Sequence, residues 1–386
     1  MLHTITGSIG HPQTRNRGIA GGALAQKEKM RGARAAKTIE WRESVNARGA
    51  EGAEQGKETR VANNDYFVAL SECHLMNPAT LAETNYYPGF ERWWGSVNGV
   101  MRAWAGRNLT DPDASWPEPI ASELIKYMDE ARVDVGFALR EGMMDISGHT
   151  TCLSTNGFIL DQIAPYPDRL YLEALVGPVL RRGVDNAVWE LEYLVKERNA
   201  KLCKVYQPED DGPLDDRRMW PFYEKACELD IPLTVHTGMS YVVPQPSKYT
   251  MPCVLDEVLL AFPELKIIAY HMGWPNSEEL IGLAGKHQNL YLSLSGIVGW
   301  FERAPYRGYH MIGEALQWVS HERIVMGQDL PFDDTKRIVD YIRNLQMPDE
   351  LQEKWGYPEI TDEIRAGILG TNLARLAKIE PTRRVK

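Results

Sequence analysis

The stretch SECHLMNP, Ser71 to Pro78, follows the apolar run Tyr66 to Leu70 and sets three potential metal ligands, Glu72, Cys73 and His74, side by side at a strand end. Alternation along a strand sends Glu72 and His74 to one face and Cys73 to the other. On its own the triplet reads more simply as a strand running out into solvent. Three further segments change that, because His236 in VHTG, His271 in YHMGWP and Asp329 in MGQDLPF each close a short apolar run beside a small or turn-forming residue. Imidazole nitrogen and carboxylate oxygen are ligands for a divalent cation such as Zn²⁺ or Mn²⁺, and a catalytic site keeps one position open for water or substrate. Glu72, His74, His236 and Asp329 offer two neutral and two anionic ligands, which balances the charge of such an ion. His271 is then the fifth group, binding the water or substrate or acting as an acid or base. Asp329 has two readings as well, since a carboxylate can ligate with one oxygen and accept a proton with the other.

Residues so far apart in sequence meet only if the elements carrying them converge, and counting the apolar runs shows how. The runs are Phe67–His74, Val133–Leu139, Leu170–Val176, Leu202–Gln207, Ile231–Gly238, Leu265–Gly273, Leu290–Gly296 and Arg323–Leu330. Helical spacing fills Glu118–Ala131, Val184–Arg198, Arg217–Leu229, Val254–Phe262, Glu278–His287 and Ile312–Val319, then Asp333–Asn344 and Thr361–Ala377 in the tail. Eight strands alternating with helices predict an α/β chain with a (β/α)₈ TIM barrel over residues 63–380. A doubly wound sheet has fewer strands and a Gly-rich first turn, which is absent here. In a barrel all the C-terminal strand ends open on one mouth, so the four segments become neighbours. The long connection after the first run holds Tyr86, Tyr87, Phe90, Trp93, Trp94, Trp104 and Trp116, which suits a substrate lid, a satellite core, or both.

The ordered set of motifs resembles the amidohydrolase-related (amidohydrolase 2) family of metal-dependent TIM-barrel hydrolases and decarboxylases. The matching pieces are GPLDDRRMWPFYEKACELDIPLTVHTG, FPELKIIAYHMGWP followed by NLYLSLSG, RIVMGQDLPF and ILGTNLARL, spread over about residues 66–378. The resemblance implies that Glu72, His74, His236 and Asp329 hold one divalent metal ion, Zn or Mn, with His271 beside the open coordination position. In the family the first motif is commonly His-x-His or, in a branch that includes nonoxidative decarboxylases, Glu-x-His, the form taken here by Glu72-Cys73-His74. One departure is Trp274, which stands where decarboxylases of hydroxybenzoates often carry a Glu, and the HMGWP form is similar to that of broader hydrolase-like members. The expectation is a nonoxidative decarboxylase (C–C lyase) of a small aromatic or unsaturated carboxylic acid. Hydrolysis of a small ester, lactone or amide on the same site is the alternative, and a non-catalytic binding barrel the second. The resemblance also implies a homo-oligomer, a dimer or tetramer.

Three more residues are candidates for touching a carboxylated substrate. Arg140, just after the second run, can clamp a carboxylate or form a surface ion pair. Lys204 alternates with Tyr206, so both enter the barrel if either does, and it reads as an interior ion-pairing residue or a substrate contact. Trp274 borders the same mouth. The chain's 386 residues are 44% hydrophobic and 25% charged with a net charge of −10, which argues against a nucleic-acid partner. No run of about 18 apolar residues and no secretory signal pattern is visible, and five scattered cysteines without a CxxC fit a reducing cytoplasm. Residues 1–62, rich in Arg, Lys, Gly and Ala, are expected to form a disordered N-terminal extension. Up to Lys37 they hold seven Lys/Arg against the single acid Glu28, a bias shared with transit peptides.

Overall fold

A computed structural model describes residues 66–77, 118–144, 150–152, 154–210, 212–240, 246–329 and 334–385. They belong to the second of two units of the chain, 62–386. The expected extension over 1–62 and the aromatic segment 86–116 lie outside the described residues.

Among the described residues ten strands run in order: β1 (Ala69–Leu75), β2 (Val135–Arg140), β3 (Gly142–Met144), β4 (Thr150–Cys152), β5 (Leu170–Leu175), β6 (Leu202–Val205), β7 (Leu233–His236), β8 (Ile267–Tyr270), β9 (Leu290–Ser293) and β10 (Ile324–Val325). Eight of them form one sheet in the order β1-β2-β5-β6-β7-β8-β9-β10, with every pairing parallel. The residues after β10 return to β1: Gln328 N–H donates to the Ser71 carbonyl at 2.8 Å and Asp329 N–H to the Glu72 carbonyl at 2.9 Å. Those bonds close the barrel and place the Asp329 backbone against Glu72. Each of the eight expected strands is present. Their near-continuous apolar runs reflect burial on both faces, inside the barrel and under the helices, as in β2, where every residue is buried.

The interior floor is apolar: Phe67, Val135, Phe137, Leu202, Ile268 and Val325 point inward and the helix Asn372–Ala377 plugs them from below with Leu373 and Leu376. A second, larger apolar layer lies between sheet and helices. The expected helices are found, and Pro305–Trp318 begins a turn or more before the spacing suggested, with Pro305 at its start. Among the described residues three short α-helices and the β3–β4 ribbon were not expected. Asn156–Ile163 has 8 residues, Val298–Phe301 4 and Asp349–Trp355 7, short windows in which an apolar period is weakly marked.

Candidate metal and active site

The register between β1 and β2 shifts between Leu70 and Cys73. At this bulge Glu72 takes left-handed backbone with φ 57°, and its N–H donates to Glu173 Oε2 on β5 at 3.0 Å. The facing expected from alternation survives the irregularity. Glu72 and His74 turn to one side, with His74 Nε2 3.6 Å from Glu72 Oε1. Cys73 packs into the apolar layer under the helices, where burial pushes its thiol pKa up and leaves it inert.

At the barrel mouth the ligand atoms of Glu72, His271 and Asp329 all lie within 4.8 Å of one another. All three sit on left-handed backbone, with φ 57°, 62° and 59°. For side-chain-bearing residues such conformations cost about 1–3 kcal/mol each and persist where the surroundings over-determine them, typically at functional sites. His74 joins the edge of this group, its Nε2 3.8 Å from Asp329 Oδ1. His236 ends β7 with its ring centroid 4.4 Å from that of His271, and its Nε2 is 3.4 Å from the Met239 carbonyl. All five expected residues thus share one mouth, while the tightest cluster contains His271 rather than His74 or His236. Gly296, at φ 71°, makes room for it: a Cβ there would stand 2.6 Å from Asp329 Oδ2 and 2.9 Å from His271 Nδ1.

Charge beneath the cluster is balanced by Lys204, which does point into the barrel. Its Nζ is 2.5 Å from Glu72 Oε1 and 3.5 Å from His74 Nε2. Burial alone would raise the pKa of Glu72, but Lys204, then His271 and His74, hold it well below the usual carboxylate range. Burial would likewise lower His74, but the Glu141 carboxylate, 2.5 Å from Nδ1, outweighs it and lifts the pKa to about 10. His236 is pushed well below its ordinary value by burial and by His271 and Lys204, which keeps its imidazole neutral. Asp329 is raised by burial and by the neighbouring Glu72.

The remaining candidates divide. Trp274, partly buried, stacks obliquely on Trp300 at 4.5 Å between ring centroids, with the Arg307 guanidinium over both rings. Arg140 is buried and largely committed to backbone, donating from Nε to the Leu175 carbonyl at 3.0 Å and from Nη2 to the Gly177 carbonyl at 2.9 Å. Its position at the end of β2 is as expected; most of its guanidinium is already engaged.

A family model described as Amidohydrolase matches residues 148–377, more than half of the chain. The chain belongs to the amidohydrolase family. Gamma-resorcylate decarboxylase of Polaromonas sp. (strain JS666 / ATCC BAA-500) is 22% identical over 305 residues, 64% of this chain and 89% of the relative. The 2-keto-4-carboxy-3-hexenedioate hydratase of Sphingobium sp. (strain NBRC 103272 / SYK-6) is 26% identical over 193 residues, 40% of this chain and 54% of the relative, so that match spans about half of the hydratase. The crystal structure of a dihydroxybenzoic acid decarboxylase from Polaromonas sp. JS666, with bound manganese and the inhibitor 2-nitroresorcinol, shares the fold. It superposes with a TM-score of 0.52 at 17% identity, covering 81% of this chain and 97% of that one. As a member of its family this amidohydrolase is a metal-dependent enzyme of the lyase or hydrolase kind. Among the described residues no helix is long and apolar enough to cross a membrane.

The donor set of the amidohydrolase fits a single divalent ion. Nδ1 of His271 donates to the Ser295 carbonyl at 2.9 Å, which leaves the Nε2 lone pair turned toward Glu72 Oε1, 3.6 Å away. Carboxylate oxygens and imidazole nitrogens in this mixture accommodate Zn²⁺ and Mn²⁺ alike. The sequence reading missed four residues around this set: Glu141, Glu173, Ser295 and Glu209. Glu173 carried a signal, being an acid within the apolar strand LYLEAL. Its carboxylate accepts from Glu72 N–H, from Thr234 Oγ1 at 2.6 Å and from the Tyr270 hydroxyl at 2.7 Å.

Proposed function

We propose that this amidohydrolase is a nonoxidative decarboxylase of a small aromatic or unsaturated carboxylic acid, with Glu72, His74, His236 and Asp329 holding one Zn²⁺ or Mn²⁺ ion. The observation that carries the reading is the contrast between the two carboxylates. The side chain of Glu72 is 1% exposed and that of Asp329 30% exposed. Glu72 is therefore a fixed ligand, while Asp329 reaches the space a substrate enters. When bound, a divalent ion draws electron density from a substrate carboxylate or an adjacent oxygen. Asp329 gives a proton to the carbon bearing the carboxylate, the bond to the carboxylate carbon breaks with its electron pair returning to the ring or double bond, and CO₂ leaves. Asp329 recovers its proton from solvent. His271, grouped with Glu72 and Asp329 within 4.8 Å, stands beside the open coordination position, where it contacts the substrate. Trp274 lines the approach, Lys204 supports the cluster from beneath through Glu72, and Arg140 meets a carboxylate through Nη1, the guanidinium nitrogen left over by its backbone bonds. The Glu-x-His motif and the decarboxylase relative support this chemistry.

Trp274, in place of an acid, and the hydratase relative favour a second reading in which water is the reactant. There Asp329 takes a proton from water and His271 polarises the group under attack. Under either reading the ligand is a small carboxylated molecule and the protein a cytoplasmic homodimer or homotetramer, which light scattering and fractionation test. A panel of hydroxybenzoates, unsaturated diacids and lactones, assayed for CO₂ release, for hydration and for ring opening, separates the two. CO₂ release lost in Glu72→Ala is expected; water addition or ring opening without CO₂ selects the second reading. A purified protein free of divalent metal and inert on every substrate leaves only a binding barrel.

A further inference from the structure

Ser295, just past β9, touches two members of the cluster through two different atoms. Its hydroxyl donates to Glu72 Oε2, and its carbonyl accepts the Nδ1–H of His271 at 2.9 Å. The residue is completely buried. Gly327 opposite leaves room for this side chain, because a Cβ there would stand 2.5 Å from Ser295 Cβ and 2.8 Å from its hydroxyl oxygen. The two contacts act on different freedoms. A half-turn about the Cγ–Cδ bond of Glu72 exchanges its carboxylate oxygens, and the hydroxyl on Oε2 opposes that exchange. With Oε2 held by Ser295 and the backbone N–H held by Glu173, Oε1, which accepts from Lys204 Nζ at 2.5 Å, is the oxygen that faces His74 Nε2 and His271 Nε2, 3.6 Å from each. The carbonyl fixes the other partner. By accepting from Nδ1 it makes Nε2 the unprotonated nitrogen of neutral His271, so the lone pair points to the same place as Glu72 Oε1.

We propose that Ser295 is a positioning residue that orients Glu72 and His271 together, so that Oε1 is presented to the cation and Nε2 to the coordination position beside it. This rests on the reading above that the cluster holds a divalent ion. It also gives a role to the SLSG motif, which the sequence left without one. The direct neighbours of metal ligands typically change affinity 10- to 100-fold when lost, without contacting the ion.

The test uses the full chain, stripped with a chelator and titrated with Mn²⁺ alone. Dissociation constants come from calorimetry and the electronic environment from electron paramagnetic resonance, with circular dichroism confirming the fold at the titration temperature. Ser295→Ala is expected to weaken Mn²⁺ binding by about tenfold and to alter the zero-field splitting of the bound ion. Gly327→Ala, which crowds the Ser295 side chain without removing its hydroxyl, is expected to change the spectrum as well. A Ser295→Ala constant within about twofold of wild type, or weaker binding with an unaltered spectrum, overturns the positioning role. Wild-type protein that takes up no Mn²⁺ overturns the metal reading itself, whereas wild-type binding with an unaffected variant overturns only the role of Ser295.

Discussion

Nζ of Lys204 stands 2.5 Å from Oε1 of Glu72, and the two side chains are 5% and 1% exposed. Glu141 and Glu173 also face the ammonium, so a single buried lysine answers three carboxylates beneath the mouth. Breaking a buried pair by removing one partner costs about 3–5 kcal/mol, because the other charge is left uncompensated. Lys204→Met should therefore lower the melting temperature of the chelated protein strongly, and Mn²⁺ should restore more stability to the variant than it adds to wild type. Melting curves with and without the ion measure both. Equal melting temperatures for the two chelated proteins would show that the pair carries no such weight.

Glu209 offers a prediction on pH. It is 1% exposed, Arg140 Nη2 is 3.9 Å away, and Oε2 has no hydrogen-bond partner among the described residues. Burial raises its pKa to about 7, the pull of Arg140 notwithstanding. The folded value lies above the unfolded one, so the unfolded chain gives up this proton first, near 4.5, and ionisation works against folding. The penalty is absent below pH 4.5, grows as pH rises through the interval and is complete above about 7. Glu209→Gln escapes it and should be more stable than wild type by up to about 3 kcal/mol at pH 8, with no advantage at pH 4.5. Urea unfolding at the two pH values reads the difference. Parallel stability curves would assign the carboxyl to a solvated setting.

How far this site could be read from the sequence depends on the kind of interaction. His236, His271 and Asp329 were legible because each ends an apolar run, and a parallel barrel collects strand ends at one mouth whatever the details. The facing of Glu72 and His74 came out right for a reason the sequence did not contain. Plain alternation gives the correct sides, but the strand carries a bulge at Glu72, and a carboxylate from β5 holds the extra residue. Arg140 shows the opposite failure. An arginine after a strand end looks free in a sequence, and only the fold brings the Leu175 and Gly177 carbonyls to its nitrogens. Ser295 reaches Glu72, and Glu141 reaches His74, across more than 60 residues of sequence, for which no local pattern exists.

Gly296 should tolerate no side chain. With φ at 71° and a Cβ falling 2.6 Å from Asp329 Oδ2, Gly296→Ala is strained both in its backbone and against two site residues. Mn²⁺ affinity and turnover should fall together, with a loss of stability of about 1 kcal/mol or more. Wild-type affinity in a folded Gly296→Ala protein would mean that Asp329 and His271 have slack to move.

Asp329 and Glu72 should separate when each is changed alone. Asp329→Asn keeps an oxygen that can ligate but no longer carries a transferable proton, so the ion should remain while turnover drops by about 10²–10⁴, the usual worth of a positioned acid or base. Glu72→Ala removes the sealed carboxylate that answers Lys204, leaving the ammonium beside the vacated place. Loss of the ion itself is the expected result, because a positive charge then stands where the cation's negative ligand had been. Metal content after gel filtration, set beside the turnover of each variant, tests the division. An Asp329→Asn protein that turns over normally would remove Asp329 from the proton transfer, and a Glu72→Ala protein that retains a full equivalent of metal would remove Glu72 from the ligand set.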